Sequence, residues 1–205
     1  RLSDHPSPFP VMPEIGHIAV PDLWLPILIA AVLVFLWSSI VWMVLPHHKH
    51  DWGELPDEDG LMKAMRDAGL KPGQYAFPNC AEDRKKFQTP EFQEKLKAGP
   101  MGLMIVGPSG PPNMGKSLGS WFLFTIVVSV FVAYIGGHAL PRGAQYLDVF
   151  QVLGATAFAA YGLGIVPMAI WFHRTWGSVL RELFDALCYG LLTAGAFAWL
   201  WPGVS

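Results

Sequence analysis

The sequence predicts an all-α membrane protein: four transmembrane helices with a small helical cytoplasmic insert between the first and the second. Three observations carry this reading. Four apolar stretches, Leu23–Leu45, Leu118–Ala139, Leu147–Phe172 and Val179–Trp201, are each long enough to cross a hydrocarbon core of about 30 Å, which takes about 20 helical residues. None shows the period-2 alternation of a membrane barrel, and the helix is the other form that satisfies its own backbone in lipid. The 205 residues are 52% hydrophobic and only 15% charged, against about 25% charged in soluble domains.

Residues 1–22 form a Pro-rich arm without the n-region and h-region of a signal peptide. Such an arm does not fold alone, and it is expected to order against a partner through Pro6, Pro8, Phe9 and Pro10. The chain opens on Arg1 rather than Met, so further residues upstream are expected. Residues 23–46 hold the first span, read as a retained helix because its apolar run exceeds a signal core. It is bulky nearly all round, with Ala30, Ala31, Ser38 and Ser39 its small residues, so lipid or a partner protein is expected against it.

Residues 47–117 make the insert. Pro56-Asp57-Glu58-Asp59 opens one helix and Gly69 stops it, acidic residues suiting the N-terminal end of the dipole. Thr89 caps a second helix with Pro90 at its first position, and Gly99-Pro100 ends it. Gly102–Val106 reads as one short strand and Pro108–Pro112 as an extended linker. Residues 118–202 form a three-helix bundle with spans at about 118–139, 147–172 and 179–201. Close approach in lipid favours small residues. The last span has Ala186, Gly190, Ala194 and Ala198 at four-residue spacing, the third has Ala155 and Ala159 near Gly154, Gly162 and Gly164, and the second has Ser129, Ala133 and Gly137. Pro167 is expected to kink the third span.

Ten of the 14 Lys and Arg residues lie from Lys49 to Lys116, and Arg174 and Arg181 flank the last turn. Basic residues gather on the cytoplasmic side, so both termini are expected in the periplasm and the insert in the cytoplasm. Trp24, Tyr146, Trp199 and Trp201 fit one interface; Trp42, Trp121, Trp171 and Trp176 fit the other. On this topology Cys80 and Cys188 lie in different compartments of the fold, and no disulfide is expected.

Four features bear on chemistry. His47, His48, His50 and Asp51 could ligate zinc, copper or iron; the plainer reading is a basic juxtamembrane run, because adjacent histidines in a helix point apart. Asp185, two turns into the last span, is an intramembrane acid with Arg181 one turn before it, which reads as an i, i+4 pair or as a proton or substrate group facing the bundle. Gly110–Ser117 satisfies G-x-x-x-x-G-K-[ST], yet two loop prolines lack N–H groups and a membrane span follows. Nucleotide is therefore not expected, and Ser117 is read as the cap of the second span. No histidine lies mid-membrane, so no b-type haem is expected on this chain alone. Membrane lipid is the expected non-protein contact, and other bound cofactors stay open.

His47-His48-Lys49, Asp51-Trp52, Leu55–Glu58, Pro72–Tyr75 with Phe77-Pro78, Gly110–Leu118, Phe184-Asp185 and Tyr189–Gly195 together resemble an uncharacterised family of bacterial four-helix inner-membrane proteins. The likeness covers residues 47–202. It implies a multi-pass protein of the bacterial inner membrane and carries no activity or cofactor with it.

The first functional expectation is a non-catalytic accessory subunit of a larger membrane complex, of respiratory or photosynthetic type, with other membrane-protein subunits as partners. The alternatives are a small transporter or channel using Asp185, and a metal-dependent membrane oxidoreductase using His47–Asp51. No nucleic-acid partner is expected, and a net charge of −2 selects none.

Overall fold

The computed structural model describes residues 17–203, and the chain is 68% helical. The arm residues Pro6, Pro8, Phe9 and Pro10 lie outside the described residues. The helices are α1 (Trp24–Met43), α2 (Glu58–Asp67), α3 (Pro90–Ala98), α4 (Met114–Ala139), α5 (Tyr146–Gly162), α6 (Val166–Phe172) and α7 (Trp176–Trp199); the strands are β1 (Gly73–Phe77) and β2 (Gly102–Val106). Three segments are long and apolar enough to cross a membrane: Val20–Met43, Met114–Ala139 and Tyr146–Phe172. In α7, 24 residues long, Arg181, Glu182 and Asp185 interrupt the apolar run in the first half.

The long helices close a ring: α1 packs on α4 and α7, and α5 packs on the same two. This corrects the expectation that α1 stands aside toward lipid or a partner. Ala30, Ala31, Val34, Ser38 and Val41 of α1 are buried, at the three- and four-residue spacing of one helix face. Its bulky residues occupy the remaining faces: Leu36 and Met43 are more than half exposed. The small residues admit α4 closely enough for the Trp121 indole to donate to Ser38 Oγ at 2.8 Å.

The seam between α5 and α7 uses the ladder on α7. Ala186, Gly190, Ala194 and Ala198 are all buried. A Cβ built on Gly154 would lie 3.0 Å from the Ala194 methyl, and one on Gly162 would lie 2.7 Å from that of Ala186. Backbones meet where hydrogen atoms stand in for side chains, and dispersion then supplies the attraction that lipid cannot. On α5, however, Ala155 and Ala159 are exposed, and Val149, Leu153 and Ala157 face the core with the glycines. The α5 helix stops at Gly162, a 3₁₀ turn spans Leu163–Ile165, and α6 restarts with Pro167 in its first turn, where a missing N–H breaks no bond.

One end of the ring is tied by backbone. Ile18 N–H donates to Gly137 O at 3.0 Å, and Gly143 N–H to Pro202 O at 2.8 Å. Trp201, expected as an interfacial anchor, is buried there instead, its indole donating to Pro141 O at 2.9 Å.

In the insert, Asp57 caps α2 by accepting from Gly60 N–H, and Thr89 caps α3 by accepting from Phe92 N–H. The strand expected at Gly102–Val106 forms as β2, and it has a partner that was not expected. β2 pairs antiparallel with β1, from Gly73 opposite Val106 to Phe77 opposite Gly102. A lone strand would leave its N–H and C=O groups open; pairing satisfies them. The Gly110–Ser117 segment enters α4 at Met114, so Gly115, Lys116 and Ser117 are already helical. Asn113, not Ser117, is the cap, accepting from Lys116 N–H at 3.0 Å.

Candidate functional site

Beyond α1, Pro46 stops the helix: Leu45 before it is extended, as a residue preceding proline tends to be. Pro46 then opens a 3₁₀ turn, Pro46–His48, that lays both histidines over the first turns of α7. His48 is buried between two carboxylates. Its Nδ1 lies 2.6 Å from Asp51 Oδ2, and its Nε2 lies 2.7 Å from Asp185 Oδ2. His47 Nε2 stands 3.4 Å from the other Asp185 oxygen. The Trp42 indole stacks on the His48 ring at 3.8 Å and 11°. Arg181 Nε donates to Asp51 Oδ1 at 2.6 Å.

This arrangement corrects two sequence expectations. Arg181 and Asp185 do not pair along α7: the guanidinium goes to Asp51, and Asp185 turns into the bundle, 3% exposed, to meet the histidines. The end of α1 brings stronger partners within reach than the helix itself offers. The two histidines also do not point apart uselessly, because Asp185 presents one oxygen to each. His47, His48 and Asp185 offer ligand atoms within 4.8 Å of one another, the geometry of a candidate metal centre. His50 is exposed and outside that set, and Asp51 stands behind His48 on its second nitrogen.

Both ring nitrogens of His48 meet carboxylate oxygens. An imidazolium satisfies that geometry with two donated bonds; a neutral ring satisfies it if one carboxyl carries the proton. In either form a shared proton lies between residues of α1's trailing turn and α7. For Asp51, burial acts to raise its pKa, but the hydrogen bonds from His48 and Arg181 outweigh it and hold the group below the ordinary carboxylate value. The remaining acid of this region, Glu182, is paired with Arg174, which also donates to Ser178 Oγ at 3.2 Å.

Beside this cluster runs a groove of about 670 Å³ between α1, α4 and α7, with Tyr161 of α5 in its wall. Asp185 and Glu182 sit at its polar side, and Trp121, Phe124, Tyr161 and Tyr189 line its aromatic part. The Tyr161 and Tyr189 rings meet edge to face at 5.4 Å. The Tyr161 hydroxyl is buried and has no hydrogen-bond partner among the described residues. The Thr193 hydroxyl of α7 is likewise buried without a partner among the described residues. Sequence reasoning also missed the groove, whose one advance sign was the aromatic clustering of Trp42, Trp121 and Tyr161 toward the same end of three spans.

No protein-family model, curated protein or solved structure matches this chain, so the family resemblance rests on the quoted residues alone.

Proposed function

We propose that the chain is a four-span protein of the bacterial inner membrane that binds a long-chain amphiphile in the groove between α1, α4 and α7. The observation that carries the reading is the groove itself, mostly apolar and aromatic, with Tyr161 in its wall; the Tyr161 hydroxyl is buried and has no partner among the described residues. A buried hydroxyl without a partner is costly, so a small turn of the Tyr161 side chain toward an occupant would recover a bond that the empty groove forgoes. Binding sites combine an apolar wall with a few converging polar groups, and here those are Tyr161, Ser38 and Asp185. The neighbouring surface is apolar too: Met43 at the groove is 62% exposed, which suits entry from lipid rather than from water.

In this reading α7 is the fourth span. Its length of 24 residues gives about 36 Å of helix, and its three charged residues lie toward one end, each with a partner: Arg181 with Asp51, Glu182 with Arg174, Asp185 with His48. The excess of Lys and Arg between Lys49 and Lys116 supports a cytoplasmic insert. An accessory role in a larger complex keeps less support than the sequence lent it, because the buried face of α1 is taken by α4 and α7.

The test is extraction into lipid nanodiscs without detergent, followed by mass spectrometry of bound lipid. A stoichiometric amphiphile is expected on the native chain. Ser117→Trp, an exposed position at the groove, should lose it while the melting temperature holds. Identical bulk lipid on both proteins would end this reading.

A second reading, a polar path for a small solute, draws on the buried hydroxyls of Ser129 and Thr193, which have no partner among the described residues. Flux into liposomes that Asp185→Asn leaves unchanged would count against it.

A further inference from the structure

We infer that His47, His48 and Asp185 form a binding site for a divalent transition metal of the zinc or ferrous-iron class. Two imidazoles and one carboxylate are the donor set these ions prefer, whereas magnesium and calcium favour oxygen alone. The three ligand atoms lie within 4.8 Å of one another, and a tetrahedral metal with bonds of about 2.0–2.2 Å sets its ligands about 3.3–3.6 Å apart, so the widest pair closes by about an ångström on binding.

The surroundings fit a metal better than they fit an ion pair alone. A metal-bound histidine commonly gives its remote nitrogen to a carboxylate, which fixes the ring and raises its basicity. Here His48 Nδ1 lies 2.6 Å from Asp51, and Arg181 holds Asp51 from behind. Trp42 stacks flat on the same ring and limits its rotation. His47 Nε2 supplies a second, independent observation: it is buried, makes no hydrogen bond among the described residues, and stands 3.4 Å from Asp185 Oδ1. A nitrogen in that position has a lone pair or a proton with nowhere else to go. The His47 side chain is also 29% exposed, which leaves a way in for the ion.

On binding, the proton between His48 Nε2 and Asp185 Oδ2 leaves and the metal takes its place. The charges of the ion and Arg181 are then set against those of Asp51 and Asp185. Three protein ligands leave at least one coordination position for water or another molecule. Asp185 also lines the groove, so the two sites share that residue, but the assignment rests on the His47–His48–Asp185 geometry alone.

The experiment uses the full chain purified without a polyhistidine tag, stripped of metal by chelation, and titrated with cobalt(II) as a visible probe and zinc(II) by calorimetry. One metal per chain is expected, with d–d absorption bands of a nitrogen- and oxygen-ligated cobalt ion. His47→Ala should weaken binding at least 100-fold while the melting temperature of the metal-free protein stays unchanged. Asp51→Asn should weaken it about 10- to 100-fold. His50→Ala should leave it as it was. Absence of binding at 100-fold excess probe, stoichiometric binding that survives His47→Ala, or binding lost in His50→Ala would each overturn the assignment. The first of these would leave the cluster as an ion-pair network only.

Discussion

His48 and Asp185 stand 137 residues apart in the chain and 2.7 Å apart in space. Their contact, with Asp51 and Arg181 behind it, fastens the turn that follows α1 onto the start of α7. The groove, the candidate metal ligands and the charged end of α7 all take their positions from it.

Breaking that contact from one side should cost far more than replacing it whole. Asp185→Ala leaves a buried imidazole without its acceptor and should lose about 3–5 kcal/mol of stability. The pair Asp185→Leu with His48→Phe should lose clearly less than the sum of the two single changes. Unfolding in mixed micelles measures both; additive losses would mean that the two side chains do not act together.

The α5–α7 seam offers a graded test. Gly162→Ala places a methyl 2.7 Å from that of Ala186 and should cost about 1–3 kcal/mol. Gly195→Ala lies on α7 with nothing within 4 Å of the added carbon, and should be neutral or gain up to about 1 kcal/mol from helix propensity. Equal losses at both positions would show that the seam is not where these helices are held.

At the opposite end of the ring, Gly137→Ala would set a methyl 2.3 Å from the Ile18 carbonyl oxygen. The segment leading into α1 should lift away and its hydrogen bond to Gly137 should open. Hydrogen exchange at Ile18 N–H, read by mass spectrometry, should rise at least tenfold relative to the native chain while exchange in α7 stays constant.

The two cysteines report on orientation. Cys80 belongs to the insert and Cys188 to α7, and both are free. With Cys188→Ala in place, a membrane-impermeant maleimide should label Cys80 in inverted vesicles and leave it unlabelled in right-side-out ones. The reverse pattern would invert the proposed topology.

Much of this architecture was legible in the residues, and the exceptions have physical causes. The ladder Ala186, Gly190, Ala194 and Ala198 announced its own seam because its spacing is a property of one helix. The buried face of α1 carried the same kind of signal in Ala30, Val34, Ser38 and Val41, but the bulk of the other residues hid it. In lipid a helix can be apolar on every side and still have a packed face. β1 went unseen because a five-residue strand opening with glycine shows little pattern until its partner is known. The His47–His48–Asp185 set was half read: the histidines stood out, but their carboxylate lies on another helix, and local spacing drew Arg181 to it instead. The clue was Pro46, which takes the histidines out of the helix that would have separated them.

The place of α1 in the ring also bears on how the chain is made. Ribosomes deliver α1 before α4 and α5, whereas the helix that holds its far end comes after them. Between those moments α4 and α5 emerge as neighbours in sequence and in space, while the turn bearing His47 and His48 waits for an acid not yet translated. Assembly of these helices therefore has a built-in late step, the return of α1 to α7. A translocation factor that shelters α1 in the interval would shield a helix that is complete in itself and unfinished at one end.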